Sequence, residues 1–168
     1  MESSNKKKFF LIIIGGIPGI GKSFLAERIC SEYKNIFDIK DLNFAKIENM
    51  EGVSNLEELI PACDEIVIAR GDLGNAMPLW ELPRVQKCIS AKCRQAQKPF
   101  MVVTQMLASM EYKAVPTRAE VSDIFNAVCD GAASVMVTGE TAVGDYPVDV
   151  IRYLAKTVSE AETYLQYP

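Results

Sequence analysis

The sequence contains no histidine. That absence removes Ser-His and Cys-His nucleophile arrangements, and with them most zinc sites. Cysteine is sparse: there are 5, an odd number, with no C-x-x-C pair. Cys88 and Cys93 stand too isolated to suggest a metal site, and the set reads as small reduced core residues of a cytoplasmic protein. No apolar run approaches the roughly 18 residues of a membrane helix. The opening MESSNKKKFFLIIIGG has a basic patch and an apolar run, but no small-residue cleavage site follows, so neither a leader nor a membrane partner is expected. Basic stripes are missing too, and the net charge of −4 argues against a nucleic-acid partner. What is present is ordinary for a globular protein: 168 residues, 49% hydrophobic and 24% charged. That is enough for one domain over 1–168 with a real core.

One stretch carries an explicit chemical signal. Ile12–Ser23 reads IIIGGIPGIGKS. An apolar strand runs into G-x-x-x-x-G-K-S, and helical spacing follows. Gly16, Gly19 and Gly21 let the backbone turn N–H groups toward a phosphate. Lys22 can reach terminal phosphates, and the Ser23 hydroxyl can bind Mg²⁺. The expected ligand is ATP or another phosphate-bearing anion. The stretch resembles the opening strand, loop and helix of small phosphate-loop kinases, such as the phosphoglycerate kinases of that class.

The rest alternates strands and helices. Strands are expected at Phe9–Gly15, Leu42–Glu48, Glu65–Ala69, Phe100–Thr104 and Ser134–Thr138. Between them lie a helix at Lys22–Tyr33 and a short one opened by a Ser54/Glu57 capping box. A third carries Leu82, Val85, Ile89, Cys93 and Ala96, and a fourth is opened by a Thr117/Glu120 capping box. The last begins at Asp145-Tyr146-Pro147, with the stripe Val150, Ile151, Leu154, Val158, Ala161 and Leu165. Met106, Leu107 and Met110 are expected to pack as a helical turn. The pattern predicts an α/β fold: a five-stranded, mostly parallel sheet flanked by helices, open and doubly wound, with an incomplete (β/α)8 barrel as the alternative. Ligands in such folds sit at the C-terminal strand ends. The polar residues Lys46, Glu48, Arg70, Asp72, Thr104, Thr138 and Glu140 all fall there. An open sheet keeps edges and an apolar face, so homodimerisation through either is expected.

From Lys46 onward the motifs are more specific. They are Lys46-Ile47-Glu48-Asn49, Ala69-Arg70-Gly71-Asp72-Leu73-Gly74 and Thr104-Gln105-Met106-Leu107. Pro116-Thr117-Arg118-Ala119-Glu120, Gly139-Glu140-Thr141-Ala142 and Gly144-Asp145-Tyr146-Pro147 follow. This portion resembles the second half of the pyruvate kinase (β/α)8 barrel. The resemblance implies that Glu48 and Asp72 hold a divalent metal, here Mg²⁺. It implies that Lys46 supplies positive charge to the transferring phosphoryl group and the enolate, with Thr104 beside the reacting carbon. Backbone N–H groups around Gly71 and Asp72 would cradle a substrate carboxylate. Lys46 and Thr104 are the catalytic candidates, and Ser23, Glu48 and Asp72 the metal candidates. With two resemblances meeting inside a strand near 43–46, the expectation is an engineered or recombined chimera. It would keep a phosphate-binding loop without full catalysis, with a Mg²⁺-dependent phosphotransferase or residual pyruvate kinase activity as the alternative.

Overall fold

The computed structural model of the protein describes residues 43–167. The expected strand at Phe9–Gly15, the loop carrying Gly16, Gly19, Gly21, Lys22 and Ser23, and the helix at Lys22–Tyr33 lie outside the described residues. Within them the sheet has four strands: β1 (Phe44–Ile47), β2 (Glu65–Ala69), β3 (Phe100–Val103) and β4 (Ser134–Met136). All neighbours are parallel, and the order is β1-β2-β3-β4.

That sequential order fits the half-barrel form of the expected α/β fold. Right-handed crossovers between consecutive parallel strands stack their helices on one face. The packing follows this rule. Ile47, Ile66, Ile68, Phe100 and Val102 point to the face where Leu56, Ile60, Val85, Ile89, Ile124 and Val150 of the helices meet them. The opposite face holds a separate small cluster of Ala69, Met101 and Val103, flanked by Val67 and Met136. Strands buried on both faces read as unbroken apolar runs, which is why FMVV of β3 is buried at every position. Each large aliphatic side chain so buried contributes about 1.5–3 kcal/mol.

The helices are α1 (Met50–Ser54), α2 (Leu56–Ala62), α3 (Arg70–Ala76), α4 (Leu82–Gln95), α5 (Arg118–Cys129), α6 (Gly139–Ala142) and α7 (Pro147–Gln166). In α4 the buried Val85, Ile89 and Cys93 recur every four residues, as the spacing predicts. The helix stops in a Schellman turn: Gln97 takes φ 52°, and Lys98 N–H reaches the Cys93 carbonyl at 2.8 Å. Helix α5 ends the same way at Gly131, with φ 92° and Ala132 N–H on the Ala127 carbonyl at 3.1 Å. Its Thr117/Glu120 capping box forms in both directions.

Two local expectations change and one holds. The Ser54 capping box is not made. Asn49 caps a helix that starts earlier, its side chain accepting from Gly52 N–H at 2.9 Å, and the Ser54 hydroxyl bonds back to the Met50 carbonyl at 2.9 Å. Helix α7 starts with Pro147 in its first turn, as expected. Asp145 caps nothing with its side chain; its N–H goes instead to the Glu111 carbonyl at 2.9 Å. Met106, Leu107 and Met110 are fully buried around the 3₁₀ turn Ala108–Glu111, in line with the sequence reading.

Candidate functional site

Four parallel strands end on the same side, and the polar residues that follow them form one rim. Lys46 lies on β1, and Glu48 is the first residue after it. Asp72 sits in the first turn of α3, directly after β2. Lys46 Nζ donates to Glu48 Oε2 at 2.6 Å and to Asp72 Oδ2 at 2.7 Å. The two carboxylates therefore aim at one point, and a cation occupies it. All three side chains are about half exposed. The hydrogen bonds that Lys46 donates to Asp72 and then to Glu48 hold its ammonium above its ordinary pKa, against the opposing effect of burial. Lys46 stays charged through the neutral range.

Thr104 follows β3 and forms the second part of the rim. Its φ of 72° lies in the left-handed region, as does the 53° of Gln105. A β-branched residue is rarely found there. Several bonds hold it. Its hydroxyl accepts from Gly71 N–H at 2.7 Å and donates to the Val103 carbonyl at 2.6 Å. Its carbonyl accepts from Arg70 Nε at 3.2 Å and Nη2 at 2.6 Å. A Cβ on Gly71 would sit 3.4 Å from Thr104 Oγ1, an ordinary van der Waals contact. The Gly71 N–H that the resemblance assigns to a substrate carboxylate is thus committed to Thr104 in this structure.

Arg70 is buried and pairs through Nη1 with Asp123 of α5. Sequence reasoning singled out Arg70 as a rim residue but missed its partner. Asp123 lies 53 positions away, on a helix face it shares with Glu120 and Asn126, so nothing local marked it as the partner. Two further carboxylates brace the loop after β3. Glu120 accepts from Ser109 N–H at 2.7 Å and from Thr117 N–H at 2.7 Å. Burial pushes its pKa up, but the Ser109 hydroxyl, these two N–H groups and the Thr117 hydroxyl together outweigh it and hold the pKa below its ordinary value. Glu140 accepts from Thr138 N–H at 2.7 Å and Leu107 N–H at 3.2 Å.

The structure therefore joins Lys46, Glu48 and Asp72 directly, and joins Thr104 to them through Gly71 and Arg70. Thr138 and Glu140 form a third group at the β3–β4 end. Ser23 lies outside the described residues. No helix among the described residues is long and apolar enough to cross a membrane.

Comparison with known proteins gives the rim a context. The family described as pyruvate kinase, barrel domain, matches residues 27–151. The chain is 48% identical to the pyruvate kinase of Candida albicans over 130 residues, which is 77% of this chain and 26% of that protein. It is 39% identical to the pyruvate kinase of Geobacillus stearothermophilus over 157 residues, 88% of this chain and 27% of that one. The crystal structure of a pyruvate kinase from Cryptosporidium parvum superposes with a TM-score of 0.72 at 41% identity, covering 85% of this chain and 30% of that one. The chain spans about a quarter of the length of these curated relatives.

These findings overturn the chimera. The family match begins at residue 27 and runs straight through the expected seam near 43–46. The alignment with the Geobacillus protein takes in 88% of the chain. Neither supports a phosphate-loop kinase portion or a person's or genome's join. The G-x-x-x-x-G-K-S reading at Gly16–Ser23 rested on a short pattern set in a strand–loop–helix rhythm that unrelated α/β folds share. With a continuous family match, a parallel sheet in sequential order and the motif residues gathered at its C-terminal rim, the chain belongs to the pyruvate kinase barrel-domain family.

Proposed function

We propose that the rim of Lys46, Glu48, Asp72 and Thr104 is the divalent-metal and phosphoryl-binding part of a pyruvate-kinase-type site. The observation that carries this reading is the convergence of Glu48 Oε2 and Asp72 Oδ2 on one cationic nitrogen. Two hard carboxylate oxygens directed at one positive centre suit Mg²⁺, which keeps its other positions for water and phosphate oxygens. The exposure of both carboxylates leaves room for a phosphorylated substrate above them. When bound, the ion would polarise the phosphoryl oxygens as a Lewis acid.

The chain's own residues supply the rest. Lys46 moves off the carboxylates and turns its ammonium to the transferring phosphoryl group and to the enolate left behind. A lysine ammonium keeps that charge at neutral pH without the carboxylates. Thr104 is held rigidly beside the reacting carbon by Arg70 and Gly71. The nucleotide enters as the second phosphate-bearing ligand.

The test is calorimetric titration of Mg²⁺ and Mn²⁺ into the whole chain and into Glu48→Gln and Asp72→Asn. Binding by the parent, weakened about tenfold or more in each variant, supports the reading. No binding at millimolar metal, or equal binding in all three proteins, removes it. A coupled assay with phosphoenolpyruvate and ADP then asks for turnover, which should vanish in Lys46→Met.

A further inference from the structure

We infer that Glu140 is a positioning residue that fixes the loops after β3 and β4 relative to each other, and so sets where Thr104 stands on the rim. This deepens the proposed function and rests on it for the role of Thr104.

Glu140 is 2% exposed. It projects from α6, which starts three residues after β4 ends. Among the described residues its partners are two backbone N–H groups and the Thr138 hydroxyl, the last at 3.5 Å. A buried carboxylate costs several kcal/mol unless donors meet its charge. Here each oxygen meets a donor from a different loop. Oε1 takes Leu107 N–H at 3.2 Å, and Oε2 takes Thr138 N–H at 2.7 Å. An amide of the same shape cannot do this: one oxygen would remain an acceptor, and the NH₂ would face an N–H. The position therefore needs a carboxylate, not merely a polar side chain of that length.

What the tie holds is a strained segment. Thr104 and Gln105 both have positive φ, and the chain turns back into the core at Met106 and Leu107. A left-handed pair needs restraint on both sides. Arg70 grips the Thr104 carbonyl in front. Glu140 grips Leu107 N–H behind. Glu120 acts farther along, on Ser109 and Thr117, and does not substitute for it.

The test is site-resolved amide hydrogen exchange on the full chain and on Glu140→Gln and Glu140→Asp, with Mn²⁺ broadening of the Thr104 methyl resonance. In E140Q the Leu107 or Thr138 amide should exchange about tenfold faster or more, while Ile68 and Val102 amides keep their parent rates. The Mn²⁺ broadening of Thr104 should change, because its distance to the metal changes. E140D keeps two acceptors on a shorter arm and should restore protection at one of the two amides; it also reads the same signals should E140Q not fold. Uniform acceleration across the chain would make Glu140 a general stabiliser, and unchanged exchange would show that the bonds do not hold the loops. Either overturns the inference. A parent chain that binds no Mn²⁺ but shows selective exchange in E140Q removes the rim reading and leaves the anchor. Mn²⁺ binding with Thr104 broadening identical in E140Q does the reverse.

Discussion

Lys46 and Arg70 stand at neighbouring strand ends, and each is bonded to carboxylate. Lys46 is 52% exposed and shares two carboxylates that are themselves about half exposed. Arg70 is 8% exposed, bonded to Asp123 and to the Thr104 carbonyl. Water competes for every bond that Lys46 makes, so its pairs are weak and can be exchanged for a ligand. Arg70 is itself buried, and water reaches its pair only from the Asp123 side, which is 35% exposed. Its pair cost desolvation to form and leaves an uncompensated charge if broken. The rim thus has an exchangeable half, suited to metal and phosphate, and a fixed half that holds Thr104 in a disfavoured backbone conformation. The residue type is cationic in both places; burial decides which half each serves.

Four changes would break or sharpen that contrast. The largest effect is expected from Arg70→Met, which strands Asp123 and the Thr104 carbonyl. Urea unfolding should show a loss of about 3 kcal/mol, with an unchanged slope. A loss below about 1 kcal/mol would mean that the buried half is no firmer than the exposed one. Thr117→Ala comes next. It removes one half of the capping box that seats α5 and Glu120, and should cost about 1 kcal/mol by the same measurement.

Glu65→Gln probes burial without a cation. Glu65 is buried at the foot of β2, and that burial raises its pKa above the ordinary 4.5 despite a hydrogen bond from Ser134 at 3.0 Å. The folded state therefore holds the Glu65 proton more tightly than the unfolded chain. Parent stability should fall as pH rises from about 4.5 through the raised folded pKa. The glutamine variant should lack that part of the slope and be the more stable protein at neutral pH. Parallel pH profiles for the two would rule this out.

Lys46→Met should do least to stability, within about 0.5 kcal/mol, because exposed pairs contribute little. The same variant should bind Mn²⁺ more tightly, since the cation that competes for Glu48 and Asp72 is gone. A large stability loss without a change in metal binding would place Lys46 with the fixed half.

The parts of the fold legible in the sequence are those governed by neighbours within one or two turns. Continuous apolar runs located β2 and β3. Four-residue recurrence found the buried face of α4, and Thr117 with Glu120 marked the start of α5. The same local reasoning misplaced the start of the helix near Ser54, because Asn49 offers an equally good cap five residues earlier. It also put Ile151 and Leu165 on the buried stripe of α7, where both are about half exposed. A long helix has more apolar positions than the neighbouring face can cover. The candidate site was half legible. Motifs placed Lys46, Glu48, Asp72 and Thr104 on strand ends, but nothing local linked Arg70 to Asp123 or gave Thr104 its left-handed turn. The phosphate-loop reading failed for the opposite reason: a local pattern was complete in itself and carried no information about the fold around it.

The sequence by itself determined where the described strands and most of the described helices lie, that the sheet is parallel, and that Lys46, Glu48, Asp72 and Thr104 lie on one rim. Those properties follow from side-chain periodicity and from the direction of consecutive crossovers. Only the tertiary structure decided which charges are exchangeable and which are fixed. Burial and the geometry of distant partners set those roles, and neither is encoded in the spacing of any one segment.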